Sequence, residues 1–177
     1  MPKGKMYRLL SYGPGLALFA TFAHLGWELT HGGVRSHHLF AQNDLPAVSN
    51  WWGLLILPLL GWLASRTATA RAEMDEGAAA RAVAAFVGAL LVGLALSLSF
   101  VAGYESLSSG LFLATMASGL VLPTYRGEYL FGFVLGMTFV IGSALPAVFA
   151  SVAAALSAAV HFLVRPALSM LFRKLRA

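Results

Sequence analysis

The stretch that decides the fold is Ala82–Ala102, AVAAFVGALLVGLALSLSFVA. Every residue in it is apolar, aromatic or small except Ser97 and Ser99, and none is charged. A helix of about 20 such residues crosses the hydrocarbon of a bilayer, which is about 30 Å thick, because each residue adds about 1.5 Å. The stretch therefore predicts a transmembrane helix.

The rest of the chain has the same apolar character. Of its 177 residues, 59% are hydrophobic and 11% are charged, and the mean hydropathy is +0.77. A soluble domain has about 45–50% apolar and about 25% charged residues, so these values exclude a water-soluble globule and a disordered chain. The chain has no cysteine, which excludes disulfides, thiolate metal ligands and iron–sulfur clusters.

Five further apolar segments predict a single all-α membrane domain, a bundle of six transmembrane helices. The predicted spans are 13–30, 47–65, 82–102, 107–123, 129–145 and 147–171. The first carries His24 and Glu28 and is followed by no small-x-small cleavage site, so we interpret it as a retained helix rather than a signal peptide. Pro146 is predicted to separate the last two helices.

The basic residues predict the orientation of this bundle. With both termini in the cytoplasm, only Arg35 falls outside, and the other basic residues fall inside, as the positive-inside rule requires. The inside set is Lys3, Lys5, Arg8, Arg66, Arg71, Arg81, Arg126, Arg165, Arg173, Lys174 and Arg176. The net charge of +5 thus results from basic residues on the cytoplasmic side of the bilayer, and we expect no nucleic-acid partner. The pattern is typical of a bacterial inner-membrane protein.

Two glycines bear on helix packing and on oligomeric state. Gly132 and Gly136 have the small-xxx-small spacing of a close helix–helix contact, either within the chain or at the seam of a homo-oligomer. No internal repeat is visible, so a transporter built of two similar halves is not supported. We leave a homo-oligomer or a larger membrane complex open.

Histidines and carboxylates cluster where the first helix ends. On a helix, His24, Glu28 and His31 stand at i, i+4 and i+7 and share one face. The polar segment 31–48 then adds His37, His38 and Asp44, and could fold back over that face. Ionisable residues at membrane depth are costly and tend to mark functional sites.

These ligand types predict a transition-metal site near the outer surface. Imidazole and carboxylate without sulfur suit Zn, Fe, Mn, Ni or Cu(II), with Zn or Fe foremost. We expect the metal ligands to be His24, Glu28, His31, His37 and His38. Asp44 and Glu105 are the candidate catalytic acid–base groups, Glu105 because it stands at the outer end of the third span.

Each of these residues also has a plainer interpretation. Glu28 and His31 could be hydrated in the headgroup zone, and Asp44 could only form a turn. Glu105 could stabilise the N-terminus of the fourth helix through the helix dipole. His161 lies far below the outer surface, and we expect it to be a hydrogen-bonded packing residue.

The leading functional hypothesis is a membrane-embedded metalloenzyme. We expect it to act on a lipid-like substrate at the outer leaflet, with hydrolysis slightly favoured over oxidation. The alternatives are a divalent metal-ion permease or sensor, and a small accessory subunit of a membrane complex. A permease needs polar groups that continue to the far side, and the cytoplasmic half of each predicted span contains no carboxylate.

Overall fold

The computed structural model describes residues 8–38, 44, 46–75 and 77–176, with only the backbone of 171, 172 and 174–176. It is mostly helical. The helices are α1 (Gly13–Thr30), α2 (Gly53–Met74), α3 (Ala78–Val101), α4 (Glu105–Ser118), α5 (Gly127–Ile141), α6 (Ala144–Ala159) and α7 (Arg165–Arg176). A π-helical segment, Val160–Val164, joins α6 to α7. Two short strands, β1 (Ser36–His38) and β2 (Ala47–Ser49), and a 3-10 turn, Asn50–Trp52, lie between α1 and α2.

Within the described ranges, three helical segments are long and apolar enough to cross a membrane. They are Asn50–Met74, Ala78–Val101 and Ala144–Met170, and α5 is a shorter apolar helix. The helical, membrane-compatible fold class predicted from composition is therefore confirmed. The predicted orientation depends partly on residues that lie outside the described ones. These are Lys3, Lys5 and the side chains of Lys174 and Arg176.

The second predicted span, 47–65, differs from the helix found there. Residues Ala47–Ser49 form β2, and α2 begins at Gly53 and continues to Met74. The helix continues beyond the predicted end at residue 65 because 66–74 is rich in Ala, Arg, Glu and Met, which all favour helix. A three-residue strand is too short to show an alternating pattern, so the sequence did not predict β2.

The predicted break at Pro146 is wrong by a few residues. The chain leaves α5 at Gly142, whose φ of +72° suits glycine, and Pro146 lies in the first turn of α6. A proline there disrupts no helical hydrogen bond, because the first N–H groups of a helix have no intrahelical acceptor. The fourth helix is also shorter than the predicted 107–123, since α4 ends at Ser118.

The core forms where α5 packs against α3 without large side chains between them. A Cβ at Gly132 would stand 2.4 Å from the carbonyl oxygen of Phe86, and one at Gly136 would stand 2.6 Å from that of Leu90. The close contact predicted from this glycine pair is confirmed, and it lies within the chain. The helix α5 thus becomes the buried centre of the bundle, with a run of buried residues from Phe131 to Thr138.

A buried ion pair fixes one end of α5. Arg71 of α2 donates from Nη2 to Oε2 of Glu128 at 2.7 Å, and Glu128 is 3% exposed. Both residues lie between predicted spans, and sequence reasoning did not predict their contact. The pair was missed because its members are 57 positions apart and no local spacing indicates their contact.

Candidate functional site

A small β-hairpin covers the end of α1 and assembles the candidate site. The helix ends at Thr30, and Gly32 and Gly33, with φ angles of +108° and +95°, then reverse the chain. The strand β1 then pairs antiparallel with β2, with His37 opposite Val48. The backbone N–H of Asn50 donates to the carbonyl of Arg35 at 3.0 Å, so the start of α2 is held beside the hairpin.

Glu28 is the centre of this site. It is 6% exposed, and its Oε1 accepts a hydrogen bond of 2.7 Å from Nδ2 of Asn50. Its Oε2 accepts a longer one, 3.4 Å, from the backbone N–H of Arg35. Asn50 is itself 3% exposed and lies against Gly142, where a Cβ would stand 1.9 Å from the Asn50 Oδ1. Glu28 is therefore held by one donor directly before β1 and by another in the 3-10 turn that precedes α2.

His24 lies one turn below Glu28 on the same face, as the i, i+4 spacing predicted. Its Nε2 is 3.7 Å from Glu28 Oε1, and the residue is 4% exposed. The edge of the imidazole meets Phe139 of α5, with the ring centroids 5.5 Å apart. The site thus contains an imidazole nitrogen and a carboxylate oxygen that are close together and shielded from water.

His37 approaches the pair from the hairpin. It is half-buried and lies close enough to Glu28 and His24 for electrostatic interaction with both. Burial lowers the pKa of His37, the charge of Glu28 raises it, and the charge of Arg35 lowers it, with a net decrease. A lowered pKa favours the neutral imidazole, which is the form that binds a metal.

The remaining predicted ligands, His31 and His38, and the predicted acid–base group Asp44 differ in their exposure. His31 is exposed; its ring stacks on that of Trp27, 3.7 Å between centroids, and its Nδ1 lies 2.9 Å from the Trp27 carbonyl oxygen. His38 is half-buried in β1, and Asp44 is exposed. The neighbours of Asp44 at 39–43 and 45 lie outside the described residues.

Glu105 belongs to a different region. It is exposed and lines a cavity of about 640 Å³ bounded by α3, α4, α5 and α6, whose described lining includes none of the five predicted ligands. Ser99 and Ser108 share a buried hydrogen bond of 2.8 Å in the same lining. Ile141 also lines it, next to the Gly142 that contacts Asn50, so the cavity and the site lie on neighbouring sides of the end of α5.

His161 has the hydrogen bond expected of a packing residue. Its Nδ1 lies 2.9 Å from the carbonyl oxygen of Ser157, and its ring meets Tyr125 edge-on at 5.6 Å. It stands in the π-helical segment, away from the site at the end of α1.

The site contains two potential metal ligands in contact, His24 and Glu28, and His37 is the candidate for a third. Among the described residues, no group of three or more His, Asp or Glu is close enough to hold a metal ion as the side chains stand. Asn50 is the residue whose role sequence reasoning missed, since its interaction with Glu28 joins positions 22 apart. Comparison with protein-family models, with curated proteins and with solved structures finds no match to this chain.

Proposed function

We propose that the chain is a membrane-embedded metal-dependent hydrolase that acts on a lipid-like substrate. The metal, Zn or Fe foremost, is held by His24, Glu28 and His37, a set of two imidazoles and one carboxylate that both metals accept. His31 is left out of this set because its ring stacks on Trp27 at the surface. His38 remains the alternative to His37 as the ligand from the hairpin.

One observation carries this proposal: the two buried glutamates differ in their partners. Glu128 forms an ion pair with Arg71. Glu28 is buried to a similar degree, yet among the described residues its close partners are an amide, a backbone N–H and a histidine, with no Lys or Arg ion pair. Burying an uncompensated carboxylate is costly, so the environment of Glu28 favours a cation bound beside it.

The chain's own residues have distinct roles in this proposal. Asn50 and the backbone of Arg35 orient the carboxylate of Glu28, as outer-shell donors commonly do for metal ligands. The hairpin supplies His37 and shields the pair from bulk water. A bound metal would polarise a substrate carbonyl and lower the pKa of a bound water molecule. Glu105 is placed to contact a substrate in its own cavity, next to the site.

We place this site at the outer surface of a bacterial inner membrane, facing the periplasm, with six spans and both termini in the cytoplasm. The distribution of Lys and Arg supports this orientation. The site lies at one end of α5 and the Arg71–Glu128 pair lies at the other. Because α5 has 15 residues, these ends are about 20 Å apart.

The side chains below the site favour an enzyme over a permease. Thr21 and Thr138 are buried, but each hydroxyl donates to a carbonyl of its own helix, to Ala17 at 2.8 Å and to Val134 at 2.8 Å. Their donor hydrogens are thus already used within the helix. A metal sensor would use the same ligands as the hydrolase and is distinguished by the lack of turnover.

The test is hydrolysis by the purified protein. The chain is prepared with an affinity tag free of histidine, loaded with Zn or Fe(II), and mixed with long-chain fatty esters and amides in detergent micelles. We expect metal-dependent release of fatty acid by the wild type. Glu28→Gln should abolish it, because the amide keeps the shape but loses the negative charge.

His31→Ala is the matched control, since it removes a histidine from the same helix end without touching the pair. It should retain most of the activity. Metal binding without hydrolysis of any ester or amide would favour the permease or the sensor. Metal flux in proteoliposomes would then distinguish these two, because only the permease transports the ion. If the protein neither binds metal nor hydrolyses a substrate, and the sample is polydisperse, the result would favour the accessory subunit.

A further inference from the structure

A second large cavity lies at the other end of the bundle. It has a volume of about 670 Å³ and is bounded by α3, α4, the 122–126 turn, α5 and α6. One face of α3 forms a wall, from Arg81 through the small residues Ala84, Ala85 and Gly88 to Val92. The α3 residues in this wall span about 16 Å along the helix, which is close to the depth of one leaflet.

The polarity of this cavity changes along its length. Its deep end is lined by apolar side chains that include Val92, Leu111 and Phe133. Its other end holds Arg81, Arg126 and Glu128 together with Thr124, whose buried hydroxyl has no hydrogen-bond partner within the described part of the chain. An apolar cavity with a few polar groups at one end is typical of a site for an amphiphile.

The charges at the polar end favour an anion. Glu128 is neutralised by Arg71, and Arg81 forms an ion pair with Asp75. Arg126 is half-buried, and its guanidinium makes no hydrogen bond or ion pair to another described side chain. Within the described part of the chain, Arg126 is therefore a cation without an ion-pair partner at the mouth of an apolar cavity.

We propose that this cavity binds an anionic phospholipid. Its acyl chain lies along the small-residue face of α3, and its phosphate is bound by Arg126 with Arg81 nearby. Guanidinium groups bind phosphate oxygens through paired, charge-assisted hydrogen bonds. The cytoplasmic leaflet is rich in anionic lipid, and the basic end of the cavity is on that side in the orientation proposed above.

This lipid is not the substrate of the Glu28 site. The cavity opens beside the first turn of α5, and the Glu28 site contacts Gly142 directly after its last residue. The two sites are therefore separated by the length of the helix. The lipid site does not depend on the metal or on hydrolysis.

The test is lipid binding by delipidated protein in detergent, measured by native mass spectrometry. The probes are phosphatidylglycerol and phosphatidylcholine with the same acyl chains, and inorganic phosphate alone. We expect phosphatidylglycerol to bind at least about fivefold more tightly than phosphatidylcholine. Both lipids carry the phosphate, but the choline cation of phosphatidylcholine offsets its charge and is repelled by Arg126 and Arg81. Arg126→Gln should remove that preference.

Two pairs of variants separate a built site from general surface charge and from misfolding. Arg66→Gln removes an equal charge from an exposed position outside the cavity, and it should keep the preference. Gly88→Phe should fill the cavity and weaken both lipids, since open space surrounds the position of its Cβ. Gly110→Phe makes the same change at a helical glycine that also faces open space but does not line the cavity, and it should bind as the wild type does.

Three results would overturn the proposal. Equal binding of the two lipids by the wild type would remove the role of Arg126. Equal losses in Arg126→Gln and Arg66→Gln would assign the preference to surface charge. Displacement of the lipid by millimolar inorganic phosphate would show a soluble anion site instead of a lipid site.

Discussion

At the scale of single residues, Gly142 controls the geometry of the site without taking part in its chemistry. Its backbone has φ +72° and ψ −179°, a conformation that is essentially restricted to glycine. A Cβ there would also collide with Asn50, the donor to Glu28. The shape of the site thus depends on the absence of a Cβ at Gly142 as much as on the polar groups.

Gly142→Ala should therefore destabilise the protein and disturb the site. We expect a loss of about 2 kcal/mol or more in the free energy of unfolding, the sum of backbone strain and displacement of Asn50. Thermal unfolding in detergent measures it. Gly110→Ala is the control, because that glycine lies inside α4 with open space around it and alanine should be neutral or stabilising. Equal melting temperatures for the two variants would contradict this description of Gly142.

Sequence reasoning predicted part of the site at this scale. The i, i+4 spacing correctly placed His24 and Glu28 side by side, because both lie within α1. The i+7 extension to His31 assumed a helix that continues, whereas His31 is the C-cap, with φ −122° and ψ 38°, and stacks on Trp27. Sequence reasoning did not predict the contact of Asn50 with Glu28, since no local pattern predicts a contact across 22 positions.

At the scale of helices, the contact between α3 and α5 holds the bundle together. The carbonyls of Phe86 and Leu90 fill the space that side chains at Gly132 and Gly136 would need. Backbones this close gain extensive van der Waals contact, which is the main attraction between helices in lipid.

Gly136→Leu should force α3 and α5 apart. A larger side chain in a packed interface costs typically about 1–3 kcal/mol, and here the obstacle is backbone, which cannot rotate away. We expect a strongly lowered melting temperature or aggregation in detergent. Gly110→Leu, at an open helical position, should behave as the wild type. A stable, monodisperse Gly136→Leu protein would contradict the tight contact.

The Arg71–Glu128 pair links α2 to α5, and breaking it should leave a buried charge. Arg71→Met should cost about 2–3 kcal/mol, less than the about 3–5 kcal/mol of a fully buried pair because the Arg71 side chain is 26% exposed. Unfolding in detergent measures it, with Arg66→Met on the same helix as the exposed control. Arg71→Met combined with Glu128→Leu should recover part of the loss. No recovery would indicate that the arginine acts through packing alone.

The sequence predicted the existence of the helices better than their ends. Long apolar runs specify helices in a bilayer because every backbone polar group must be satisfied internally. Where helices end depends on local features, as when α5 ends at Gly142 rather than at Pro146. The β1–β2 hairpin is held by only three paired positions, too few for a pattern.

At the scale of the whole molecule, the orientation in the membrane is tested by labelling. The chain has no cysteine, so single substitutions give clean probes. Ser36→Cys, exposed in β1, should react with an impermeant thiol reagent on spheroplasts, and Met74→Cys, 82% exposed at the end of α2, only after lysis. Equal labelling of both before lysis would contradict the proposed topology.

The central claim is that a metal binds at His24 and Glu28 with a third ligand from the hairpin. Elemental analysis of protein purified without chelator or histidine tag tests it most directly. We predict about one equivalent of Zn or Fe in the wild type, a sharp fall in Glu28→Gln and in His37→Ala, and little change in His31→Ala. A wild type that contains no transition metal, and takes up none from added Zn or Fe, would contradict the claim and leave the cluster as a hydrogen-bonded contact between α1 and the turn that precedes α2.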